Sequence, residues 1–145
     1  MNRRMIKQEC YLDMLEEAIN SVESVLNYID RIKDKVGVFS NDILQKDAIR
    51  AQFDLELALA SLSILLRKMA ENNFIEIDRE TRRDINSIIH SNKFEVENGK
   101  VIVYSQKGEE LVSIDKLLSF ARSILKSTNM FCHFCYDNKG DENGF

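Results

Sequence analysis

Residues 78–105 read DRETRRDINSIIHSNKFEVENGKVIVYS, and the fold turns on this stretch. Asp78 is suited to cap a helix whose first turn holds Glu80, because a carboxylate there accepts free backbone N–H groups and meets the positive end of the helix dipole. The helix is predicted to carry Arg82, Arg83, Asn86 and His90 and to stop near Asn92. Phe94–Glu97 and Val101–Tyr104 then alternate in strand fashion around Asn98-Gly99. That dipeptide suits a two-residue hairpin turn because both positions tolerate positive φ. Phe94, Val96, Ile102 and Tyr104 are expected to cover the end of the helices beside His90. A lone hairpin is marginal in water, so it must dock on the third or fourth helix to persist.

Upstream lie two long periodic segments. Residues 3–36 place Ile6, Cys10, Met14, Leu15, Ala18, Ile19, Val22, Val25, Leu26, Ile29 and Ile32 at three-and-four spacing, which predicts a helix with one buried stripe. Gly37 is placed to end it. Ser40 or Asn41 can cap a second helix over 42–71, with the stripe Ile43, Leu44, Ala48, Ile49, Ala51, Phe53, Leu55, Ala58, Leu59, Leu62, Leu65 and Met69. Its middle, LELALASLSILL, is apolar almost all round, so this helix is expected to be the most buried. Each helix would be roughly 45–50 Å long at 1.5 Å per residue, and equal lengths with a short connection predict an antiparallel pair. Phe74, Ile75 and Ile77 of the link are expected to tuck under the helices.

Downstream, Gln106–Glu110 reads as a polar loop. Ser113 is predicted to cap a last helix to about Lys126, with Ile114, Leu117, Leu118, Ala121, Ile124 and Leu125 facing inward. The expected fold is therefore all-α: an antiparallel bundle of four main helices with a small β-hairpin at about 94–104 inserted before the last helix. Residues 1–128 form one domain and 129–145 a C-terminal tail. The absence of proline and the presence of only 5 glycines in 145 residues favour long uninterrupted helices.

A net charge of −4 argues against a protein that binds nucleic acid over its whole surface, but leaves room for a local basic site. No apolar run reaches the length of a membrane span and no signal peptide is visible, so a cytoplasmic protein is expected. Three cysteines give no disulfide framework. Cys132-His133-Phe134-Cys135 is a single C-x-x-C pair with an extra imidazole, whereas zinc commonly takes two such pairs. Cys132 and Cys135 are weak metal candidates, with Cys10 the one cysteine left to join them. No metal and no cofactor is expected. No Gly-rich phosphate loop, paired-histidine helix or serine nucleophile elbow is present.

Arg83 and His90 are seven residues apart, close to two helical turns, with Asn86 between them. One stripe thus offers a cation, an amide and an imidazole. The imidazole can take a proton from a ribose 2′-hydroxyl while the guanidinium holds the phosphate and stabilises its developing charge. The plainer reading of the same residues is a solvated, ion-paired helix face with a histidine near its C-terminus.

The run RRDINSIIHSNKFEVENGKVIVYS resembles the HEPN superfamily, small helical proteins of prokaryotic defence and toxin–antitoxin systems. Their signature is an arginine, often followed by Asn, Asp or His, then a histidine after four to six intervening residues; Arg83, Asp84 and His90 fit at the long end. Common versions set arginine and asparagine directly before the stretch leading to the histidine, whereas here Ile85 stands five before His90 and Asn86 follows it. Several branches continue into a short hairpin and a final helix, as Phe94 to Lys126 does here. The resemblance implies a metal-independent endoribonuclease of a toxin or phage-defence system. Arg83 and His90 would be catalytic, supported by Asn86, Asp84 and Arg82. The expected partners are RNA, a second copy of the chain, and an antitoxin or other protein. The homodimer also has a physical argument: one such pair on one convex helix offers little concavity, and pairing third helices across a two-fold would build a shared cleft. The alternative is a non-catalytic helical interaction module, a partner-binding or antitoxin-like subunit.

Overall fold

The computed structural model of the chain describes residues 2–36, 42–97, 100–105 and 108–127, with backbone alone at 33–36, 42–45, 93 and 97. In chain order it contains α1 (Arg3–Val36), α2 (Asp42–Glu71), α3 (Arg79–Ile89), β1 (Lys93–Glu97), β2 (Lys100–Ser105) and β3 (Gly108–Ser113). A further helix, α4, follows over 114–127. The protein is thus mainly helical, with a small three-stranded antiparallel sheet in the order β1-β2-β3. The expected caps of α1 at Gly37 and of α2 at Ser40 or Asn41 lie outside the described residues, as does the tail 129–145.

The end of α2 shows how the two long helices are tied. Asn73 takes φ 62, and its N–H donates to the Ala70 carbonyl while the N–H of Phe74 donates to that of Met69. This pair of bonds satisfies carbonyls that a helix end leaves open, and asparagine tolerates the left-handed conformation it needs. Arg4 of α1 donates to the carbonyls of Asn72 and Asn73 and lies 4.3 Å over the Phe74 ring. Lys7 donates to the side-chain oxygen of Asn72, and the Asn72 amide donates to the Tyr11 hydroxyl. The start of α1 therefore lies beside the end of α2, and the two helices run antiparallel. Phe74, Ile75 and Ile77 pack against the core, as the link was expected to do.

Leu15, Ile19 and Val22 of α1 and Leu55, Leu59, Leu62 and Leu66 of α2 are buried. Two parts of the expected stripes are not. Ile6 and Met14 are 47% and 51% exposed, and Cys10 is exposed with a free thiol. At about 100° per residue these three sit roughly 100–180° round the helix from Leu15, so the core row simply misses them. On α2, Ile49 and Phe53 of the stripe are both 57% exposed, and Leu57 and Ile64, outside the stripe, are 69% and 48% exposed. The helix is apolar almost all round, yet among the described residues nothing covers this face.

The sheet is larger than the expected hairpin. β3 takes in Gly108–Glu110, expected in a polar loop, and runs on through Ser113: GEELVS has low strand propensity of its own but pairs along its whole length with β2, from Ser105↔Gly108 to Lys100↔Ser113. Pairing and a buried Val112 override local preference. The inward face also differs. Glu97 pairs with Lys100, so Phe94 lies opposite Val103 and Val96 opposite Val101. With a two-residue connection, even positions of β1 share a face with odd positions of β2, and a strand cannot change face without a slip of register. Phe94, Val101 and Val103 are accordingly buried. Tyr104 lies on the other face, where its hydroxyl donates to Glu95, and Ile102 shares that face. The Phe94 N–H, at the outer edge of β1, donates to Glu56 of α2 at 3.1 Å, so the sheet does dock, on α2 as well as α3. At the end of β3 the Ser113 hydroxyl accepts from the Lys116 N–H, capping α4 as expected.

Candidate functional site

Local chemistry starts α3 where the sequence suggests and ends it earlier, at Ile89 rather than near Asn92. Asp78, extended at φ −68 and ψ 165, accepts the Thr81 N–H at 2.8 Å. These hydrogen bonds to Thr81, helped by the charge of Lys116, hold the Asp78 carboxyl below its ordinary value. His90 closes the helix, its N–H donating to the Asn86 carbonyl at 3.0 Å. One residue past Ser91, the Asn92 N–H joins the sheet through the Tyr104 carbonyl.

Ile85 and Ile88 are buried and orient the helix. With that face inward, Arg79, Arg82, Arg83, Asn86 and His90 fall within an arc of roughly 100° on the outer side. They line a cleft of ≈ 1000 Å³ together with Ser87 and Asn92 and with Ser105, Gly108, Glu109 and Glu110 of the sheet. Arg82, Arg83, Asn86 and His90 are thereby brought together. Asp84, expected as a supporting residue, does not line the cleft: one residue on from Arg83 it points about 100° round the helix. Its carboxyl is raised by burial, then by the charges of Glu110 and Glu80, with Lys116 and Arg83 opposing.

Arg83 already has a partner. Its Nε donates to Glu110 at 2.7 Å, while its side chain remains 77% exposed. The Ser87 hydroxyl contacts the other oxygen of the same carboxylate. It also lies 2.9 Å from the Arg83 carbonyl, but its single proton favours the charged acceptor. Glu110 lies opposite Val103 on the inward face of an edge strand, and reading 106–110 as a loop hid it. Polarity does not alternate here, since Glu110 shares its face with Val112 and Glu109 shares the other with Leu111, so the two adjacent glutamates leave no period-2 signal. By contrast, the side chains of Arg79, Arg82, Asn86 and His90 have no hydrogen bond or ion pair among the described residues.

Three guanidiniums and two carboxylates line the cleft, an excess of one positive charge with His90 neutral, on a chain of net charge −4. Such a surface can hold an anion of extended shape, with an amide and an imidazole in the same row. Cys132, His133 and Cys135 lie outside the described residues. No helix among the described residues is long and apolar enough to cross a membrane. No family model, no curated protein and no solved structure matches the chain.

Proposed function

We propose that the α3 cleft binds the phosphate backbone of RNA and that the chain is a HEPN-like, metal-independent endoribonuclease of a toxin or defence system, acting in the cytoplasm. The observation that carries this reading is the row of Arg79, Arg82, Asn86 and His90, all without side-chain partners among the described residues, in one locally positive cleft of an acidic chain. Arg79 and Arg82 hold the phosphate. The His90 imidazole accepts the 2′-hydroxyl proton as that oxygen attacks the neighbouring phosphorus. The P–O5′ bond breaks, and the imidazolium of His90 returns the proton through water to the departing O5′, leaving a cyclic 2′,3′-phosphate and a 5′-hydroxyl. In this reading the four helices form one antiparallel HEPN-type bundle, with the sheet set before its last helix.

Cleavage of a single-stranded RNA by the wild type and by His90→Ala, with chelator present, tests the proposal. A second substrate carries 2′-deoxy sugars throughout. Cleavage of the first substrate alone, abolished in His90→Ala, is the expected result. Binding without any cleavage would instead support a non-catalytic interaction module, a partner-binding or antitoxin-like subunit. The pairing of Arg83 with Glu110 favours that second reading.

The protein partner we propose first is a second copy, seated on α2. Ile49, Phe53, Ala60 and Ile64 are spaced symmetrically about the Glu56–Leu57 bond. An antiparallel copy would set Ile49 against Ile64 and the large Phe53 against the small Ala60, which is the self-match a two-fold interface requires. A direct contact through α3 would crowd the arginines of both copies into one interface, so the apolar face of α2 serves better.

A further inference from the structure

We propose that Arg83 and Ser87 form a phosphate subsite which Glu110 fills in the free protein, so that Glu110 competes with the ligand. The inference deepens the RNA-binding reading and rests on it for the identity of the ligand. Arg83 and Ser87 are one helical turn apart on α3 and reach the two different oxygens of one carboxylate. Two donors directed at two oxygens of one anion are also what a phosphodiester's non-bridging oxygens need. The carboxylate is held, but it belongs to an edge strand, and the row it shares with Val103 is otherwise apolar. The Arg83 side chain remains 77% exposed beyond its contact with Glu110, so an incoming anion can approach the same guanidinium from the cleft. With Glu110 in place, Arg79 and Arg82 are the guanidiniums open to ligand. With Glu110 displaced, Arg83 extends the row toward His90.

A purely structural role for Glu110, pinning β3 to α3, makes a different prediction, and the two are separable. The full chain is titrated with inorganic phosphate while the arginine Nε–H resonances are followed by NMR. A single-stranded RNA ten-mer is titrated in parallel by fluorescence anisotropy. Glu110→Gln removes the competing charge and leaves an acceptor for Ser87. Glu110→Asp keeps the charge and shortens its reach. Glu109→Gln removes a neighbouring cleft charge without touching Arg83. The expected result is a gain of about tenfold in phosphate affinity for Glu110→Gln, with the Arg83 resonance shifting on binding, because a charge-assisted pair has been released. Glu110→Asp gains in the same direction, and Glu109→Gln gains far less. Adding Arg83→Ala to Glu110→Gln removes the gain.

Equal gains in Glu109→Gln and Glu110→Gln would reduce the effect to net charge and overturn the subsite. So would an Arg83 resonance that phosphate leaves unmoved in both Glu110 variants. If phosphate behaves as expected but no variant binds the RNA, the subsite stands and the RNA reading falls. If the wild type binds RNA as tightly as Glu110→Gln does, the competition falls and the RNA reading stands.

Discussion

Asp84 of α3 and Glu110 of β3 interact as like charges across the boundary between helix and sheet. Burial comes first and the Glu110 carboxylate second in raising the Asp84 carboxyl above its ordinary value of 3.8. The folded protein therefore holds the Asp84 proton more tightly than the unfolded chain does. Its contribution to stability is fully present below pH 3.8 and is lost as pH rises through the raised folded value. Asp84→Asn should thus melt at a higher temperature than the wild type at neutral pH, with the difference closing in strong acid. Thermal unfolding across that range, with no neutral-pH gain in Asp84→Asn, would contradict the assignment.

Asp78 carries the opposite sign. Its carboxyl is held down by Thr81, so its stabilising effect is present above 3.8 and fades as pH falls through the lowered folded value. Asp78→Ala should lower the melting temperature at neutral pH and approach the wild type in acid. Because the cap starts α3, the substitution should also weaken amide protection in the first turn before it affects α2. Hydrogen exchange resolved by residue provides the check.

The exposed face of α2 separates association from folding. Leu57→Glu should leave the denaturation midpoint nearly unchanged when read at a concentration where the protein is monomeric, since Leu57 is 69% exposed. The same substitution should abolish dimer formation in analytical ultracentrifugation. Leu59→Ala, two residues on and fully buried, should cost about 2–5 kcal/mol through lost burial and a cavity. A wild type that sediments as a monomer at every concentration would refute the two-fold interface.

How much of this was legible depended on the range of the interaction. The spans of α1 and α2 and the start of α3 follow from local signals, such as Asp78 at an N-cap and the spacing of Leu15, Ile19 and Val22. The basic row of α3 follows from helical periodicity alone. The inward face of β2 did not follow by inspection, although the two-residue connection already required Phe94 to oppose Val103 rather than Ile102 or Tyr104. β3 depends on pairing with β2, and its two adjacent glutamates leave no alternation to read. Apolar content says that an α2 face seeks cover, not whether the same chain supplies it. Glu110 was hidden for the same reason as β3, and with it the pairing that occupies Arg83.

The salt dependence of RNA binding counts the guanidiniums that reach phosphate. Each contact on a single strand contributes a slope of about −0.7 in log affinity against log salt. Arg79 and Arg82 together should give the wild type a slope of about −1.4, and Arg82→Ala should bring it to about −0.7. Arg83→Ala should change the wild-type slope little, because Glu110 already holds that guanidinium. In Glu110→Gln the released Arg83 should steepen the slope to about −2.1, and Arg83→Ala in that background should return it to about −1.4. Anisotropy titrations of one RNA oligomer at four or five salt concentrations measure all of these. A slope that ignores Arg79 and Arg82 would mean that the cleft is not where the phosphates sit.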